Sequence, residues 1–131
     1  MLYSSIDCYK NTTIEVCILP EDSNGLQLTT PLFADPAKDE RLASRIYWCV
    51  KCAILQRGYE FPSGRIIVNI LNIDLTNIED IKDRLDVPVL CGILVATNQA
   101  KQPEKPLYGK LSLSGEVLPF VSNTDLADFV F

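Results

Sequence analysis

The segment that most limits the fold is "DPAKDERLASRIYWCVKCAILQRG", Asp35 to Gly58. Asp35 can cap a helix with its carboxylate. Pro36 suits the first helical position, where its missing N–H would be unpaired anyway. Gly58 is a natural stop. Between them Leu42, Ile46, Cys49 and Ala53 recur at helical spacing, and Ala43, Tyr47, Val50 and Ile54 form the adjoining row. A helix over 36–57 with so broad an apolar face needs a sheet to cover. Loss of the Asp35 cap should cost about 1 kcal/mol.

The flanking segments supply that sheet. "LYSSIDC" and "TTIEVCIL" are β-branched and partly alternating, with "YKN" between them, and predict an antiparallel hairpin. Ile14, Val16 and Ile18 would share one face, with Thr13, Glu15 and Cys17 on the other. "PEDSNG" is a loop, and "LQLTT" a third short strand. "RIIVNILNI" is nearly all apolar and predicts a central strand buried on both faces. "DLTNIEDIKDR" has room for a short helix, and "LDVPVLCGILVATNQ" for a buried one, with Asp86 as its cap and Pro88 in the first turn. "GKLSLSGEVLPF" predicts a last hairpin around a Ser-Gly turn. The order is three strands, helix, strand, helix, two strands. That is an α+β sandwich: one mixed sheet with helices on one face.

Composition narrows the chemistry. At 131 residues the chain fits one domain, and about two thirds of its unfolded surface can be buried without a disulfide or metal. The net charge of −5 repels a phosphate backbone unless the few bases cluster. No apolar run reaches the roughly 18 residues of a membrane-crossing helix. The opening "MLYSSIDCYK" lacks the pattern of a signal peptide. Five scattered cysteines suit free thiols in a reducing cytoplasm. With no histidine, Ser-His-Asp and Cys-His catalysis and His-ligated zinc are excluded within the chain.

The remaining motifs are weaker. Cys49 and Cys52 form a Cys-x-x-Cys, but no second pair completes a zinc site, and both lie mid-helix, away from the dipole that activates redox thiols. They read as small core or half-buried residues, as do Cys8, Cys17 and Cys91. Glycine-rich phosphate loops are absent. A Ser-Lys dyad needs a serine at a helix start, where this chain has Asp86. Tyr47, Trp48 and Tyr59 with Arg45, Lys51 and Arg57 would suit base stacking beside phosphate contacts, but Tyr47 and Trp48 read better as anchors of the long helix on the sheet.

Four segments, in order, resemble one family. "LYSSIDCYKNTTIEVCI" resembles the opening of the ComM-type, Mg-chelatase-like AAA+ proteins. "FADPAKDERLASRIYWCVKCAILQRGYEFPSGRIIVNI" resembles their Glu/Arg-rich helix, closing "G-[FY]-E-F-P" turn and "IxVN" strand. "DVPVLCGILVATNQ" resembles "FDLPIALGILAASGQ", and "YGKLSLSGEVLPF" resembles "GELSLDGELRPV". The match covers residues 2 to 120 and leaves 121–131 as a divergent tail. It implies an N-terminal domain with the ribosomal protein S5 domain 2-like fold, shared with the Lon proteolytic domain. The position resembling Lon's catalytic serine is Asp86. "VSNTDLADFVF" has no lysine where Lon's catalytic lysine would follow.

Two departures stand out. "LTNIEDIKDR" replaces the family's shorter, glycine-containing "LPKEGS" loop, and no phosphate-loop ATPase module follows. The expectation is therefore a short or divergent relative: a cytoplasmic, non-enzymatic domain for assembly or partner recognition, without cofactor or metal. Its partner would be a protein or a second copy, with an AAA+ ATPase and DNA linked only indirectly and no membrane. The alternatives are a nucleic-acid-binding module, a relic enzyme using a different site and a Lon-type Ser-Lys peptidase, the last disfavoured by Asp86 and the missing lysine. No catalytic, cofactor or metal residue is singled out.

Overall fold

The long helix ends as its sequence requires. In the computed structural model, which describes residues 2–123, α1 runs Pro36–Gln56. The Ala37 N–H donates to the Asp35 carboxylate at 3.0 Å. At the other end Tyr59 N–H reaches Ile54 O and Gly58 N–H reaches Leu55 O, with Gly58 at φ +80°. This pair of bonds around a left-handed glycine closes the last turn.

Four strands form the mixed sheet: β1 (Leu2–Asp7), β2 (Thr13–Leu19), β3 (Gly25–Leu28) and β4 (Arg65–Leu71), in the order β1-β2-β4-β3. β1 and β2 are the expected hairpin, β2 pairs antiparallel with β4, and β3 pairs parallel with β4. The register aligns Ile6, Ile14 and Ile70 in one row and Ser4, Val16 and Val68 in the next. All six are buried. α3 (Asp86–Ala96) packs on β1 and β2, and α1 packs on β3, so this face carries the core. The architecture is α+β, as expected.

β4 corrects one expectation. It is central, but only one of its faces is buried: Ile66, Val68 and Ile70 point inward, while Ile67 and Asn69 are half-exposed on the open face. Both helices pack on a single side, so the apolar run "RIIVNIL" does not mean two covered faces. Asn69 instead ties neighbouring strands, donating to Glu15 Oε1 at 2.8 Å and accepting from Thr29 Oγ1 at 2.7 Å.

The short α2 (Ile78–Lys82) lies in the polar stretch before α3. β5 (Lys110–Leu111) and β6 (Val117–Leu118) form the expected hairpin, but as a separate two-stranded ladder beyond α3 rather than as part of the one sheet expected. Gly115 in its turn, at φ +85°, lies close against α1; a Cβ there would meet Ala53 Cα at 3.1 Å. The expected tail begins at residue 121, and its first residues are bonded to the domain. The Ser122 hydroxyl donates to Leu118 O at 2.6 Å, and Asn123 Nδ2 donates to Pro106 O at 2.9 Å. The rest of that tail lies outside the described residues.

Candidate functional site

Asp86 is not the cap that local reading suggests. The N-cap position is Leu85, with helical φ/ψ and no side-chain cap bond. Asp86 is the first helical residue, fully buried, and its carboxylate turns sideways. Arg45 of α1 grips it in a fork, Nη1 to Oδ2 at 2.8 Å and Nη2 to Oδ1 at 3.2 Å. The Leu111 N–H of β5 donates to Oδ2 at 2.8 Å. One carboxylate thus joins α1, α3 and the last hairpin. Burial pushes the Asp86 carboxyl above its usual range, against the pull of Arg45 and the Leu111 N–H. Burial also opposes the charge on Arg45, but Asp86 outweighs it and raises the guanidinium. The sequence signal was present: an otherwise apolar, buried helix cannot hold a lone carboxylate without a cation.

The basic and aromatic set of α1 is dispersed. Arg45 faces Asp86, and Arg57 folds onto Ala53 O at 3.0 Å. Only Lys51 stays with rings, its Nζ 5.4–5.6 Å from the centroids of Tyr47, Trp48 and Phe61. Cys49 is buried beside Arg45 and Asp86, and burial pushes its thiol up. Cys52 is half-buried. Among the described residues no three His, Cys, Asp or Glu gather to hold a metal ion, and no helix is long and apolar enough to cross a membrane.

A different feature emerges on the other flank of α1. Glu40, Ala43, Ser44, Tyr47 and Trp48 form one helical stripe that faces β3 across a groove of about 900 Å³. β3 is an edge strand, paired only with β4 among the described residues. The Thr29 N–H donates to Val68 O at 2.9 Å. Because backbone groups alternate along a strand, Gly25, Gln27 and Thr29 face β4. Leu26 and Leu28 therefore aim their N–H and C=O groups away from the sheet, and both residues line the groove.

The groove is charged unequally along its length. At the Leu28 end stand Asp35, Asp39 and Glu40. Asp39 accepts from the Leu32 and Phe33 N–H groups, both at 3.0 Å, which fixes the loop walling that end. Glu40 is exposed and makes no ion pair among the described residues. Arg65 stands at the Gly25 end, with its Nε 3.9 Å from Glu21 Oε2. Trp48, half-exposed, lies on the α1 wall. Sequence reasoning missed this site because nothing local tells which strand becomes the free edge. No protein-family model matches the chain, and no curated protein matches its sequence.

Proposed function

We propose that this chain is a non-catalytic α+β domain that recognises a protein partner through the groove between β3 and α1. The observation that carries the reading is the open edge of β3, whose residues Gly25–Leu28 line the groove. An open edge strand is a ready template for another chain. Asp86 supports a binding role rather than a chemical one, because its two oxygens are taken up by Arg45 and the Leu111 N–H. The net charge of −5 and the three carboxylates at one groove end favour a protein over a nucleic acid.

The resemblance to the N-terminal, S5 domain 2-like region of ComM-type ATPases gives the proposal a setting. On that reading the domain works in the cytoplasm beside an AAA+ ATPase and meets DNA only through it. A photo-reactive residue placed at Ser44, inside the groove, tests the idea in living cells. Discrete protein adducts at Ser44, absent when the same group replaces Ser5 at the opposite edge, are the expected result. Adducts at both positions or neither, or adducts to nucleic acid, would overturn it.

A further inference from the structure

Resting on the reading of the groove as a protein-binding site, we infer that its occupant is an extended, basic segment of a partner that joins the sheet as a fifth strand beside β3. Leu26 and Leu28 offer two N–H donors and two C=O acceptors on the free edge, the row that a strand satisfies and a packed helix does not. The α1 wall sets the length. From Glu40 to Trp48 the helix rises about 12 Å, the span of about four strand residues. Alternate side chains of the added strand point to the α1 side, over Ala43, Tyr47 and Trp48. The segment therefore carries apolar residues at every second position.

Charge sets the polarity of the site. Asp35, Asp39 and Glu40 meet the segment at the Leu28 end, and Glu40 is bound to no cation among the described residues. A lysine or arginine belongs there. A carboxylate suits the opposite end, at Arg65. A second copy of this chain is a poorer occupant. Edge-to-edge pairing would bring its own α1 over the same added strand, where the first α1 already stands.

The test needs no cellular partner. Displayed random peptides of about eight residues, long enough to cross the groove, are selected on the full chain. Enriched peptides should alternate apolar residues and carry Lys or Arg toward one end. N-methylation of every second residue of a synthetic binder should weaken it about tenfold for each hydrogen bond lost, while methylation of the intervening residues changes little. Glu40→Lys, an exposed position, should select for acidic residues where the original chain selects basic ones. Leu28→Pro, which removes one outward N–H, should weaken binding about tenfold while the folded spectrum persists. Binders without alternation or charge preference, or a stable dimer that occludes the edge, would overturn the inference. Such failure alongside protein adducts at Ser44 would sink only the added strand, whereas absence of adducts would sink the broader reading.

Discussion

The two edges of the sheet have been treated differently. Outside β1, the Leu107 N–H donates to Asp7 O at 2.9 Å and Gln102 Nε2 donates to Ser5 O at 2.7 Å. A loop thus covers that edge, and side chains fasten its end: Tyr9 and Tyr108 meet edge to face at 4.8 Å, with the Arg84 guanidinium 4.5 Å over Tyr9. Outside β3 no such segment runs among the described residues, and the groove takes its place. Covering an edge is the usual protection against unwanted pairing. On the proposed reading, covering one and leaving the other beside a helix wall concentrates recognition at a single place. The fastened side reaches into α1 through Arg45 and Asp86, so α1 has one pinned flank and one open flank.

Breaking the pinned flank should have the largest effect. Arg45→Met strands a fully buried carboxylate and should cost roughly 3–5 kcal/mol in denaturant unfolding. The double change Arg45→Met with Asp86→Leu should recover part of that loss, since no charge is then left behind. The single variant should also depend on pH more steeply than the unaltered chain. With Arg45 gone, its downward pull on the Asp86 carboxyl is lost and burial raises that group further above the range of the unfolded chain. Stability of Arg45→Met should therefore fall as pH rises, and the variant should be less destabilised at about pH 5 than at about pH 8. An equal loss at both pH values would show that the pair is not what holds this flank.

The same substitution on the two edges gives a smaller contrast. Leu107→Pro removes a buried side chain and the N–H that covers Asp7 O, and should cost roughly 2–4 kcal/mol. Leu28→Pro removes an N–H that faces the groove and only a half-buried side chain, and should cost about 1 kcal/mol. Comparable losses in thermal unfolding would mean that the β3 edge is bonded no less fully than the β1 edge. Smaller still is the expected difference in thiol chemistry. Burial pushes Cys8, at the end of β1, up to about 11, and Cys91 of α3 up to about 12. Alkylation near neutral pH should therefore label half-buried Cys17, on the open face, well before either. Early labelling of Cys8 would show that the covered edge opens.

How much of this was legible follows from the range of the interactions. α1 was readable end to end, because Asp35, Pro36 and Gly58 act within a turn of their own positions. The faces of β2 were readable because alternation is a property of the strand itself. The sheet order was not: β4 enters between β2 and β3 after α1, through pairings some fifty residues apart for β2 and some forty for β3. Asp86 shows the same limit in one residue. Locally, an aspartate before "VPVLCGILVA" reads as a cap; its partner Arg45 is 41 positions away. The groove depends on both distant facts, the edge position of β3 and the direction of α1.

The gentlest test of the comparison changes no residue. Amide hydrogen exchange reads which N–H groups are bonded, and along β3 the pattern should alternate. Thr29, bonded to Val68 O, and Gln27, facing β4, should be protected, while Leu26 and Leu28 exchange quickly. At the other edge Leu107 should be protected through its bond to Asp7 O, although it lies in a loop. Burial alone cannot produce this result, because Leu26 is buried and Gln27 is exposed, opposite to the expected protection. Slow exchange at Leu26 and Leu28 in the free chain would mean that something already occupies the edge, and the contrast between the two sides would vanish. Fast exchange that becomes slow at those two residues alone, once a selected peptide is added, would place the added strand on β3.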